Sequence, residues 1–306
     1  MPTRTLVPSG FNLVSGSYLG NGQDSRNIEI GFRPSLIIVK GAGAQFSVFR
    51  TTDMPSNECG YVFNAVANLA DSIQDFFDKG FIIGTDASVN TAGVIYHWIA
   101  VSEGNAHDFA VFTYTGNGAV RDITSLTFQP SAVFIKHNST SAMRFKDGSD
   151  TTESHSFSAV ADETDAITAF LSNGFSLGAN AVINNNGDTY YGFAFRDSGN
   201  TIFKSGSFTG NGVDDRNITG VGFQPSFVIV RDNTNPNINS IRGYMGSFVG
   251  DICTNFNNTA LTGITNSIQA LQADGFQVGT NNGVNQNLSS YHYLAFKAQR
   301  VRVAIS

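Results

Sequence analysis

The sequence predicts an all-β chain made of three tandem β-sandwich repeats of about 95 residues, and three observations predict it. The first is a block that recurs. Ser17-Tyr18-Leu19-Gly20-Asn21-Gly22 leads to Phe32-Arg33-Pro34 and the run 36–39, Thr113-Tyr114-Thr115-Gly116-Asn117-Gly118 leads to Phe128-Gln129-Pro130 and 132–135, and Ser207-Phe208-Thr209-Gly210-Asn211-Gly212 leads to Phe223-Gln224-Pro225 and 227–230. The three prolines are spaced by 96 and 95 residues, too regular for chance. The second observation is a later block, Ser72-Ile73 to Gly80-Phe81, Ala166-Ile167 to Gly174-Phe175 and Ser267-Ile268 to Gly275-Phe276. Twelve residues then separate a glycine from a tyrosine each time, Gly84 to Tyr96, Gly178 to Tyr190 and Gly279 to Tyr291. The third is composition: 14% charged residues against 32 Gly and 26 Phe suits sheets better than helices.

Each element follows from its local pattern. The boundaries fall at an N-terminal arm, 1–10, and repeats at 11–104, 105–199 and 200–306, each large enough to hold its own core. The apolar runs after the prolines are short, contain β-branched residues and end in Lys40, Lys136 or Arg231, which reads as a central strand covered on both faces. The proline fits at such a strand's first residue, where its missing N–H does least harm. Residues 73–77 and 81–83 flank Asp78-Lys79-Gly80, and Asn173-Gly174 and Asp274-Gly275 stand at the equivalent places. Those dipeptides supply positive φ for a tight hairpin, with a short helix as the alternative for its first arm. The aromatic runs 95–99, 190–195 and 291–296 read as the closing strands, giving six to eight strands per repeat. The stretches 41–71, 137–165 and 232–266 are the least repetitive and differ in length, which reads as surface loops carrying individual contacts. At the C-terminus, 299–305 alternates charge with apolar side chains and reads as an edge strand that closes the third repeat, with pairing to a neighbouring protein by strand addition as the alternative.

Composition also limits function. With 41% hydrophobic residues the chain can bury a sizeable core. Its net charge of −6 and pI near 5.3 disfavour nucleic acid or an anionic membrane as the main partner. The first ten residues have no apolar signal region, so the expectation is a soluble chain made without Sec export. Cys59 and Cys253 lie far apart with no CxxC spacing and read as free buried thiols. Four Asn-x-Ser/Thr matches, beginning at Asn138, Asn217, Asn257 and Asn287, carry no weight without a secretory signal.

The candidate chemistry is sparse. The three Gly-Asn-Gly segments tempt one toward a phosphate loop, but no Lys-Ser/Thr follows and a turn between strands explains them. Asp24 with Arg26, and Asp214-Asp215 with Arg216, are candidates for a carboxylate–guanidinium clasp or a solvated pair. His97 and His292 occupy equivalent places in the closing strand, where the middle repeat has Tyr191. One histidine per repeat suggests ring packing rather than a metal, which needs several converging ligands. His107, His137 and His155 lie near Asp108, Asp147, Asp150, Glu153 and Asp162 without a spacing that assigns a base, a nucleophile or a metal. The run Asp162-Glu163-Thr164-Asp165 lacks the pattern of a calcium loop and reads as a solvated turn. No catalytic, cofactor-binding or metal-ligating residue is therefore expected. Features present in all three repeats are turn glycines, prolines and core apolars, which serve folding; that argues against an enzyme.

These motifs carry a resemblance. The Tyr/Phe-Thr-Gly-Asn-Gly opening, the Gly-Phe-Gln-Pro before the apolar run, the Asn/Asp-Gly-Phe-x-Leu/Val-Gly segment and the closing Tyr-x-x-x-Ala-Phe strand resemble a repeat domain of tailed-phage virion proteins. Members of that group often carry a tryptophan and an Asp-x-x-Arg-Gly segment after the central strand, of which only Ile241-Arg242-Gly243 keeps a trace. The resemblance implies a non-enzymatic virion structural protein, synthesised in the host cytoplasm, whose partners are other virion proteins. Capsid decoration as a cement protein is the leading role, and a monomer whose repeats imitate a trimer about a pseudo-threefold axis is the expected form. The rival is a tail-fibre or receptor-binding module that recognises host-surface glycan by stacking sugars on Tyr18, Trp98, Tyr114 or Tyr293.

Overall fold

The computed structural model describes residues 12–103, 108–138, 141–150, 152–157, 160–197, 199, 202–233, 239–243 (backbone only), 251, 253–256 and 264–297. The expected N-terminal arm, the expected C-terminal strand at 299–305, and His107 lie outside these residues. The chain is all-β. In order come β1 (Asn12–Leu19), β2 (Arg26–Glu29), β3 (Leu36–Gly41), β4 (Val48–Thr51), β5 (Glu58–Tyr61), β6 (Leu69–Ala70), β7 (Ile73–Phe77), β8 (Gly80–Ile83), the single turn α1 (Ala87–Asn90) and β9 (Ile95–Ser102). The next segment holds β10 (Phe109–Thr115), β11 (Arg121–Ile123), β12 (Ala132–His137), β13 (Arg144–Asp147), β14 (His155–Ser156), β15 (Ile167–Leu171), β16 (Gly174–Leu177), α2 (Ala181–Asn184) and β17 (Thr189–Phe195). The last holds β18 (Phe203–Thr209), β19 (Arg216–Thr219), β20 (Phe227–Asp232), β21 (Asn239–Gly243), β22 (Thr254–Asn255), β23 (Ile268–Gln272), β24 (Gly275–Val278), α3 (Asn282–Asn285) and β25 (Ser290–Phe296).

Six sheets result, three large and three small. The large ones run β1-β9-β3-β4-β5-β6, β10-β17-β12-β13-β14 and β18-β25-β20-β21-β22; the small ones run β2-β8-β7, β11-β16-β15 and β19-β24-β23. The stretches 41–71, 137–165 and 232–266 thus carry strands β4 to β6, β13 to β14 and β21 to β22, which extend the large sheets. They are not simply surface loops.

Alternation along the central strands explains their unbroken apolar character. In β12, Val133 and Ile135 face the small sheet, packing with Phe175 and Leu177, while Ala132 and Phe134 face the opposite way. That second face is covered by other segments. One buried cluster draws Leu13, Leu36, Phe49 and Ile99 from the first, Phe134, Phe157, Phe193 and Phe195 from the second, and Phe227, Ile229, Leu294 and Phe296 from the third. At its centre is an apolar cavity of about 30 Å³ lined by residues of all three, among them Ile38, Phe134 and Ile229. The remaining clusters lie between each large sheet and its small partner. Pro34, Pro130 and Pro225 stand two residues before their strands rather than at the first position.

The repeated glycines and the twelve-residue spacing have a common cause. Asn90, Asn184 and Asn285, each the last residue of its helical turn, accept with Oδ1 from the amide of Asn21, Asn117 or Asn211 at 3.0 Å. Their Nδ2 groups donate to Gln23 and Gly84, Ala119 and Gly178, or Val213 and Gly279 carbonyls at 2.7–2.9 Å. The Gly-Asn-Gly amides that an anion would need are therefore already engaged. The closing tyrosine completes the lock: Tyr96 Oη accepts from Thr91 N and donates to Ala87 O, and Tyr190 and Tyr291 repeat the arrangement. The hairpins form as expected at β7–β8, β15–β16 and β23–β24. A neighbouring strand, and not the turn alone, demands glycine there: a Cβ on Gly80, Gly174 or Gly275 would meet the carbonyl oxygen of Ile28, Ile123 or Ile218 at 1.9, 1.8 or 2.0 Å.

Candidate functional site

Polar groups of the shared face gather where the segments meet. Period two places Lys40, Lys136 and Arg231 on the same side as the shared core, and strand register sets each beside the closing strand: Lys40 opposite His97, Lys136 opposite Tyr191, Arg231 opposite His292. All six side chains are buried. Each lysine reaches backbone oxygens, Lys40 those of Gly41, Gly43 and Gln45, and Lys136 that of its neighbour His137 and, across the junction, that of Val66. Further backbone bonds cross the junctions: Ser47 N and Oγ donate to Phe256 O, Asn68 N to Asn138 O, and Met143 N to Val62 O.

The third junction is the most densely charged. Arg231 of β20 donates through Nε to Ser156 O at 2.9 Å and through both terminal nitrogens to Asp162. Asp162 also accepts from His155 Nδ1 at 2.9 Å. Burial pushes the Asp162 carboxyl upward, but His155 and Arg231 together outweigh it and hold its pKa below the ordinary aspartate value. His155 Nδ1 lies between this carboxylate and Arg231 Nη1, which is 3.2 Å away; with its proton on Nδ1, donated to Asp162, the ring leaves Nε2 as an acceptor. Burial, with Arg231 and His292 adding to it against the pull of Asp162, lowers the His155 pKa and keeps the ring neutral at pH 7.

Two more aspartates face that ring. Asp147 spends Oδ1 on Ser149 N and Oγ, and Asp150 spends Oδ1 on Thr152 and Glu153. Their Oδ2 atoms turn inward. Asp150 Oδ2 lies 3.5 Å from His155 Nε2 and 3.9 Å from His292 Nε2, while Asp147 Oδ2 lies 3.4 Å from His292 Nδ1. The two imidazoles sit with centroids 4.5 Å apart, and Ser149 Oγ is 2.8 Å from His292 Nδ1. One donor atom each from Asp147, His155 and His292 falls within 4.8 Å of the others, a set able to hold a metal ion. Burial works against the Asp147 charge, yet His292 and the Ser149 donors hold its pKa below the ordinary value.

Several expectations are corrected by this geometry. His155 and His292 converge from two segments, which removes the argument that one histidine per strand precludes a ligand set. Asp162-Glu163-Thr164-Asp165 is no solvated turn: Asp162 pairs with Arg231, Glu163 with Arg144 at 2.9 Å, and Asp165 accepts from Ala179 N. The carboxylate–guanidinium clasps do not form; Arg26 and Arg216 donate to Leu19 and Thr209 carbonyls and lie over the Tyr18 and Phe208 rings. Arg121 does the same with Thr115 and Tyr114. The rings proposed to stack on sugars are inside: Tyr18, Tyr114, Trp98 and Tyr293 are 9%, 8%, 7% and 6% exposed. Other candidates lie apart from the cluster. His137 pairs with Asp188 at 3.0 Å, Asp108 with Arg196 at 3.1 Å, and Glu153 offers its carbonyl to Lys146. Both cysteines are buried and neither is in a disulfide.

The buried lysines give a pH prediction. Burial lowers Lys40 and Lys136 from 10.5 to about 8, Arg144 assisting at Lys136. Between those values the unfolded chain binds more protons than the folded one, so stability rises with pH from about 8 to 10. Each lysine is expected to contribute on the order of 1–2 kcal/mol over that window. Urea unfolding at pH 8 and 10 checks it: K40M and K136M flatten the rise, whereas a fall in wild-type stability contradicts the assignment.

No curated protein matches the chain. A family model described as a domain of unknown function, DUF7483, matches it twice, over residues 105–203 and 200–304. With most of its length covered by those two matches, the chain belongs to the DUF7483 family.

Proposed function

We propose that this chain is a non-enzymatic virion structural protein of a tailed phage, built from three β-sandwich repeats about a pseudo-threefold axis, and that it decorates the capsid as a cement protein. The observation that carries the reading is the shared core: equivalent strands of three segments bury one apolar cluster, so a single chain is packed as a homotrimer would be. The double family match over adjacent stretches supports the repeat, and the motif resemblance supports the virion setting. Three similar outer faces held in fixed relation suit a local threefold position on a lattice of capsid protein. The partners are then other virion proteins, engaged through surfaces that the shared core does not use.

The test is to add purified, labelled chain separately to phage heads lacking it and to host cells. Saturable binding to heads at a stoichiometry set by the lattice is the expected result. Binding to cells alone, competed by host-surface polysaccharide, overturns capsid decoration in favour of a receptor-binding module.

A further inference from the structure

We propose that Asp147, His155 and His292 form a binding site for one divalent transition-metal ion of the zinc class, which ties the second segment to the third. Three features converge on it. The first is the donor set, two imidazoles and a carboxylate, the mixture that suits zinc and its neighbours. The second is what these groups lack: Asp147 Oδ2 and His155 Nε2 are buried without a hydrogen-bond partner, and both side chains are 0% exposed. Two buried polar atoms of one junction that lack a hydrogen bond are satisfied by a cation between them.

The third feature is spacing. Metal bonds of about 2.0–2.2 Å put the donors of a tetrahedral site about 3.3–3.6 Å apart. One donor atom each of Asp147, His155 and His292 lies within 4.8 Å of the others, close enough for small side-chain shifts to bring all three onto one ion, and Asp150 Oδ2 stands beside them, 3.5 Å from His155 Nε2 and 3.9 Å from His292 Nε2. The supporting contacts also fit. With its Nδ1 proton donated to Asp162, His155 presents Nε2 in the carboxylate–histidine–metal arrangement, and Ser149 Oγ, 2.8 Å from His292 Nδ1, leaves Nε2 of that ring for the ion. Arg231 pairs with Asp162 and touches His155 at Nδ1, the nitrogen turned away from the proposed ion. Asp147, Asp150 and His155 belong to the second segment and His292 to β25, so the ion closes a junction rather than a loop.

The full chain, treated with chelator and then titrated with cobalt(II), tests this. Visible d–d absorption that saturates at one ion per chain and is abolished by zinc is expected, with a zinc-dependent rise in Tm of about 5 °C at hundredfold excess over Kd. D147N and H292N lose the absorption, whereas H97N, at the equivalent strand position, keeps it. Ring ¹⁵N shifts of the wild-type histidines decide the matter without variants: His155 and His292 respond to zinc, and His97 and His137 do not. A wild-type chain with no cobalt absorption and no shift in Tm overturns the proposal and makes the gap a water site. Binding that persists in D147N/H292N overturns it too.

Discussion

Replacing Phe134 by alanine is expected to lower the stability of the entire chain by about 3–5 kcal/mol, the range for removing a buried aromatic side chain. Phe134 is 2% exposed and lies within 4.6–6.2 Å of the Phe145, Phe157, Phe193 and Phe195 rings. It also lines the central cavity, so truncation enlarges an existing void instead of letting the wall collapse. Because that wall is built by three segments, the loss is expected to shift one common transition. Urea unfolding followed by tryptophan fluorescence, which reports Trp98 of the first segment, and by far-UV circular dichroism, which reports all three, checks this. Coincident curves displaced together are expected. A Trp98 signal unmoved by F134A would mean that the segments unfold independently.

The second large effect is expected at Arg231. Changing it to methionine keeps most of the volume but leaves Asp162 facing His155 without the guanidinium and strips a donor from Ser156 O. Breaking a buried pair from one side costs about 3–5 kcal/mol, because the surviving charge is stranded. Removing both charges costs less. R231M/D162N is therefore expected to be more stable than R231M alone, with a coupling of roughly 1–3 kcal/mol in the double-mutant cycle. Additive effects would show that the pair is not the source of the cost.

How much of this was legible beforehand depends on the range of each interaction. Local signals were readable: the apolar runs gave the central strands, Asn173-Gly174 and Asp274-Gly275 marked hairpins, and the tyrosine at twelve residues marked a fixed spacing. The reason for that spacing was not readable, because a four-residue turn leaves no amphipathic period. Asn90, Asn184 and Asn285 nevertheless stood at equivalent places, and an Asn recurring six residues after Gly84, Gly178 and Gly279 was the available signal. The cluster at the third junction was hidden for a different reason. Its members come from β13, β14, the loops after them and β25, brought together by packing between segments that no local pattern encodes. One clue was present: Lys40, Lys136 and Arg231 end runs whose alternate side chains face the same way, so a cation there had to be buried and answered by something. The partner differs at each junction, and 41–71, 137–165 and 232–266 are the stretches that diverge where the rest repeats.

The central claim is that one chain stands in for a trimer at a threefold position of a capsid. Electron cryomicroscopy of heads saturated with the purified chain tests it most directly. The account predicts one copy of density seated on each occupied local threefold, its three lobes each over one capsid subunit. Density confined to the tail, or heads left bare at saturating concentration, would contradict it.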